Sequence, residues 1–173
     1  MDCPAEPGRS ANAFQAGLKN HISLLFASGL GLGYLPGPTG TYGSALGLLI
    51  WWVAASWREP VLECLIAAAL LICSVPAASR AEELLHRADP GQVVCDEVSG
   101  QLIALLFLPF SGTVAFAAFL FFRAFDIVKP FPVNRLELLP RGWGIVADDV
   151  MAGLYANVAL RFLLYMDWLP LAF

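Results

Sequence analysis

Residues 61–79 read VLECLIAAALLICSVPAAS, an apolar run broken only by Glu63 at its edge and Pro76 within it. A helix that crosses the hydrocarbon core of a bilayer needs about 20 such residues. This run is long enough, with Pro76 expected to kink it. Other apolar stretches surround it: 22–35, 45–57, 98–108, 113–125 and 150–169. The chain is 58% hydrophobic and 14% charged over 173 residues, with a mean hydropathy of +0.68. A soluble domain carries about 25% charged residues. A core of this size cannot bury so much apolar surface, and a bilayer accommodates the remainder.

No alternating strand pattern interrupts these runs, so the chain is expected to be all-α. The reading is a multi-helix, membrane-embedded bundle with short and hairpin helices. Residues 1–20 lack the apolar segment of a signal peptide and are expected to form a flexible tail, with 21–173 a single membrane domain. The net charge of −4 and the absence of a basic patch exclude a nucleic-acid partner. Cys3, Cys64, Cys73 and Cys95 form no CxxC pair, and His21 and His86 are the only histidines, which argues against a structural zinc site.

Pairing 45–57 with 61–79, and 98–108 with 113–125, as hairpins brings the loops 36–44, 80–97 and 126–149 to one face. Those loops and the tail hold Arg9, Lys19, Arg80, Arg87, Lys129, Arg135 and Arg141, and with Arg123 at the adjoining end of 113–125 they make eight of the ten Lys and Arg. The positive-inside rule then puts that face in the cytoplasm.

The same face collects the clustered acids. Asp96-Glu97 and Asp148-Asp149 each stand at the entry of an apolar helix, and Arg123, Asp126 and Lys129 follow one another in steps of three. A helix start favours one carboxylate, by about 0.3–1 kcal/mol. A second at each start is left over, and five acids on one face repel unless a cation lies among them. Mg²⁺ takes hard oxygen ligands and shares its shell with phosphate. Arg123 and Lys129 suit a phosphate, the one as a bidentate fork and the other as a point charge. The loop PGPTGTYGS at 36–44 precedes a helix start, a ready anion site. Cys95 has two acids after it and no phosphate-loop arginine, which argues against a thiol nucleophile.

Taken together, 95-CDEVSGQ-101, 122-FRAFDIVKPFP-132 and 142-GWGIVADDVMAG-153 resemble the motifs of the phosphatidylglycerophosphatase A family, and 36-PGPTGTYGS-44 is similar to its glycine loop. Thr39, where the family usually has proline, and 140-PRG-142, where a His-Gly-Gly-like turn is expected, depart from the pattern. The resemblance spans about residues 22–165. It implies catalytic or metal-binding roles for Asp96, Glu97, Asp126, Asp148 and Asp149, with Asp96, Glu97 and Asp149 holding Mg²⁺. It implies substrate contacts at Gly40, Thr41, Arg123 and Lys129. The implied enzyme is a phosphoric monoester hydrolase of the bacterial inner membrane, multi-pass and facing the cytoplasm. It would hydrolyse phosphatidylglycerol phosphate to phosphatidylglycerol and phosphate. The lipid substrate and the bilayer are its expected partners.

Two other classes share parts of this pattern. An ion-binding transporter would place its acids at mid-span rather than at span ends. A Mg²⁺-dependent phosphotransferase using a CDP-activated lipid would carry a longer aspartate array. The nucleophile, a metal-activated water or an aspartate, stays open at this level. So does whether the small residues Ala152, Gly153 and Ala156 pack within one chain or in a homo-oligomer.

Overall fold

The centre of the computed structural model is its shortest apolar helix but one, Cys95–Leu105, which is buried along nearly its whole length. The model describes residues 7–169, with side chains in the first helix described at Gln15 and from Gly17 onward. In chain order the helices are α1 (Pro7–Ala27), α2 (Thr39–Ser56), α3 (Pro60–Leu85), α4 (Cys95–Leu105), α5 (Gly112–Val128), α6 (Val133–Leu136) and α7 (Gly142–Tyr165), with a 3₁₀ turn at Leu32–Tyr34. Among the described residues there is no strand, in agreement with the all-α expectation.

Four helices enclose α4. An added Cβ on Gly47 of α2 would lie 2.8 Å from the Val98 carbonyl, so only glycine allows this approach. Gly153 of α7 abuts the Gly100 carbonyl just as closely. Phe122 of α5 is fully buried among Ala104, Ala152 and Ala156. On the α3 side, Ser74 Oγ donates to the Cys95 carbonyl at 3.1 Å and lies 3.0 Å from Ser99 Oγ. The lower end of α4 is capped by α7: Asn157 Nδ2 donates to the carbonyls of Ile103, Ala104 and Leu106 at 3.0–3.2 Å. These contacts satisfy carbonyls that the helix end leaves free. The small residues Ala152 and Ala156 are therefore spent on packing within the chain.

Among the described residues α3 alone is long and apolar enough to cross a membrane, by length and composition. It runs through Pro76 without interruption to Leu85, beyond the expected end at 79. At ~1.5 Å per residue it exceeds a hydrocarbon core of about 30 Å. Val61, Leu65 and Ile72 on its outer face are exposed, as are Phe116, Leu120, Val158 and Phe162 on α5 and α7. So wide an apolar exterior suits lipid better than water.

Several boundaries differ from the expectation. α1 takes in residues 7–20, so the boundary set at 20/21 falls inside a helix. Arg80 anchors that stretch, donating through Nε and Nη2 to Asn20 Oδ1 at 3.0 and 2.8 Å. That contact joins residues 60 apart and has no local signal. The glycine loop ends at Pro38, and α2 begins at Thr39. α7 begins at Gly142, so Asp148 and Asp149 lie beyond its first turn, and its first turn carries no acid. A capping role for Asp148 is thereby excluded.

Candidate functional site

The three loop regions do converge. Thr39, Asp89, Gly91, Val93, Asp96, Glu97, Asp126, Lys129, Ile145, Asp148 and Asp149 line one pocket of about 150 Å³ at a single end of the bundle. α4 brings Asp96 and Glu97 there in its first turn. α7 contributes Asp148 and Asp149 nearly two turns below its start, and α5 ends at Asp126 and Lys129.

The acids divide into two sets. Asp126 and Asp148 are already paired: Arg123 Nη1 donates to Asp126 Oδ2 at 2.6 Å, and Lys129 Nζ donates to Asp148 Oδ2 at 2.8 Å. Asp148 Oδ1 also accepts from the Asp149 amide at 3.0 Å. Asp96, Glu97 and Asp149 form the other set. Each offers an oxygen within 4.8 Å of those of the other two. Asp96 Oδ1, Glu97 Oε2 and Asp149 Oδ2 are buried and accept no hydrogen bond from the protein. Buried polar atoms are normally satisfied, so three unpartnered carboxylate oxygens side by side call for an outside partner. An all-oxygen donor set fits a hard cation such as Mg²⁺.

The electrostatics agree. Burial pushes Asp96 up to about 6. Burial, then the charge of Asp96, pushes Glu97 and Asp149 well above the usual carboxylate range. Without a cation these groups cannot all ionise. Burial lowers Lys129, but the hydrogen bonds of Asp148 and Glu137 outweigh it and hold its ammonium charged. The Cys95 thiol is raised, by burial more than by the neighbouring acids, and stays protonated. That removes it as a nucleophile.

Gly40 stands in the first turn of α2, against this cluster. A Cβ there would meet Glu97 Oε1 at 2.6 Å and Arg123 Nη1 at 2.8 Å. Thr41 does not line the pocket; its amide donates to the Pro38 carbonyl at 3.0 Å. Thr39 takes the place at the pocket wall. Two further residues join the site that the sequence motifs do not contain. Glu137 accepts from Lys129 Nζ at 2.7 Å across a turn-rich segment, with no local signal. Asp89 belongs to an Ala-Asp-Pro-Gly turn between α3 and α4, which could have marked it as a rim residue.

Fold and site thus define a small, membrane-suited helical protein built around one carboxylate-lined pocket in an otherwise apolar bundle. Residues 25–164 match the family model for phosphatidylglycerophosphatase A. The chain is 37% identical to the phosphatidylglycerophosphatase A of Haemophilus influenzae, over 83% of this chain and 88% of that protein. It is 30% identical to the phosphatidylglycerophosphatase A of Escherichia coli, over 80% of this chain and 81% of the relative. It is also 35% identical to a protein of Bacteroides thetaiotaomicron provisionally named a phosphatidylinositol-3-phosphatase, over 80% of this chain and 91% of that one. No solved structure matches it. The chain belongs to the phosphatidylglycerophosphatase A family and is a phosphoric monoester hydrolase.

Proposed function

We propose that the protein is a Mg²⁺-dependent lipid phosphatase that hydrolyses phosphatidylglycerol phosphate to phosphatidylglycerol and phosphate. The observation that carries this reading is the set of buried, unpartnered oxygens on Asp96, Glu97 and Asp149, with Arg123 and Lys129 beside them. Asp96, Glu97 and Asp149 would hold the cation. When bound, Mg²⁺ supplies charge stabilisation to the phosphoryl oxygens and lowers the pKa of a water.

The chain's own residues do the rest. Asp126 aims Arg123, and Asp148 with Glu137 aims Lys129, so both cations are oriented before substrate arrives. A phosphomonoester entering the pocket draws the two cations onto its oxygens and offsets the charge that develops as the phosphorus–oxygen ester bond breaks. Asp126 and Asp148, already engaged by cations, are poor nucleophiles. Asp96, Glu97 and Asp149, each with one unpartnered oxygen, would be the cation's ligands. Water is therefore the attacking group: its oxygen joins phosphorus as the bond from phosphorus to the ester oxygen breaks, and one of its protons ends on that ester oxygen, so the lipid leaves as the free alcohol. The acyl chains stay in the bilayer, and the pocket faces the cytoplasm of a bacterial inner membrane, the side favoured by the loop arginines and lysines.

The test is phosphate release from phosphatidylglycerol phosphate by the detergent-purified chain, in H₂¹⁸O, with Mg²⁺ or with EDTA. One ¹⁸O per released phosphate in a single turnover, only with Mg²⁺, is the expected result. Activity untouched by EDTA would refute the metal role. A trapped phosphoenzyme would refute direct attack by water.

A further inference from the structure

Thr39 and Asp89 line the pocket but have no part in the chemistry above. The pocket's size gives them one. At about 30 Å³ per water, ~150 Å³ holds roughly five water-sized groups. A cation held by Asp96, Glu97 and Asp149 would take up part of it. Phosphoryl oxygens and bound water fill the rest. The remainder of a headgroup stays at the mouth, where the rim residues are the protein groups it meets.

Asp89 is at odds with an anion pocket. Its carboxylate is exposed, its charge acts on Asp96, and among the described residues it makes no ion pair. It repels a phosphate. A carboxylate only accepts hydrogen bonds, so its natural neutral partner is a hydroxyl. The turn that carries it is held in place. The Asp89 amide donates to Glu82 Oε1 at 3.3 Å, Pro90 is fully buried, and the Val93 amide donates to the Pro90 carbonyl at 2.8 Å. Thr39 comes to the rim from the first position of α2. Its hydroxyl makes no hydrogen bond within the described protein, though proline would start the helix at least as well there. Beneath both, Asp96 Oδ1 and Asp149 Oδ2 are buried and unpartnered in the same pocket.

We propose that Asp89 and Thr39 select the headgroup. The preferred substrate is a lipid phosphomonoester with a free hydroxyl on the carbon next to the ester carbon. Asp89 accepts from that hydroxyl, and Thr39 hydrogen-bonds its oxygen. This inference rests on the phosphatase reading above.

The experiment compares kcat/KM for phosphatidylglycerol phosphate, which has such a hydroxyl, with that for phosphatidic acid, which has none. Where phosphatidic acid turns over too slowly, its inhibition constant against the first lipid replaces kcat/KM. Wild type is set beside Asp89→Ala, Asp89→Asn and Thr39→Pro, each checked for an unchanged melting temperature. The selectivity ratio is expected to fall about tenfold in Asp89→Ala, the loss of one charged hydrogen bond. It should fall less in Asp89→Asn, which keeps an acceptor, and severalfold in Thr39→Pro. An equal change for both lipids would reduce Asp89 to a bulk electrostatic effect and overturn the inference while leaving the phosphatase reading intact. A wild-type chain inactive on both lipids would overturn both.

Discussion

Replacing Gly40 by alanine tests the joint between α2 and the acid cluster. The new methyl would fall 2.6 Å from Glu97 Oε1 and 2.8 Å from Arg123 Nη1. Ordinary contact needs about 3.5 Å, so both groups must retreat by roughly 0.7–0.9 Å. Both are ends of flexible side chains, and the helix tolerates the change. Alanine exceeds glycine in helix propensity by up to about 1 kcal/mol, so stability should hold or rise slightly. The site should not tolerate it. A displacement near 1 Å of a positioned group costs on the order of 100-fold in rate, or about 2.7 kcal/mol. The assay is kcat/KM for phosphate release across a Mg²⁺ titration, with a thermal melt of the same sample. Gly40→Ala should melt at or above the wild-type temperature, lose about two decades of kcat/KM and need more Mg²⁺. A variant that folds and works within twofold of wild type would refute the argument that Glu97 and Arg123 act from these positions.

Other expectations follow from the same geometry. Arg141 opens α7 at φ 57° and ψ −152°, a region suited to glycine. Arg141→Gly should raise stability in chemical unfolding by about 1 kcal/mol, despite losing an exposed pair with Glu83 that contributes little. With EDTA present, melting temperature should fall as pH rises. Asp96 titrates near 6 in the fold against 3.8 unfolded, so its contribution is complete below pH 3.8 and lost as pH climbs through 6, with Glu97 and Asp149 extending the window upward. Saturating Mg²⁺ should flatten this slope, and a melting temperature that rises with pH in EDTA would contradict the burial of these acids. Asp126→Asn should release Arg123, raising KM for the lipid several-fold more than it changes the Mg²⁺ requirement.

The helical class and the meeting of three loop regions were legible because apolar runs and their polar breaks repeat along the chain. Which carboxylates were free was not legible. Asp126 stands one helical step from Arg123, but Asp148 looks no different in sequence from Asp149; only the packing shows that Lys129 already occupies it. By its charge alone the doublet Asp148-Asp149 reads as a helix start. Gly142, Gly144 and Ile145 are buried against neighbouring segments, and that packing lets α7 begin about two turns earlier than its polarity suggests. The Asn20–Arg80 contact, between residues 60 apart, is likewise invisible locally.

Calorimetric titration of Mg²⁺ into the detergent-solubilised chain, with no substrate present, examines the acid triad itself. Wild type should show a single saturable site that weakens as pH falls toward 5. Asp149→Asn should lose that site, whereas Asp148→Asn should keep it. Equal Mg²⁺ binding by wild type and Asp149→Asn, or its loss in Asp148→Asn alone, would contradict the account.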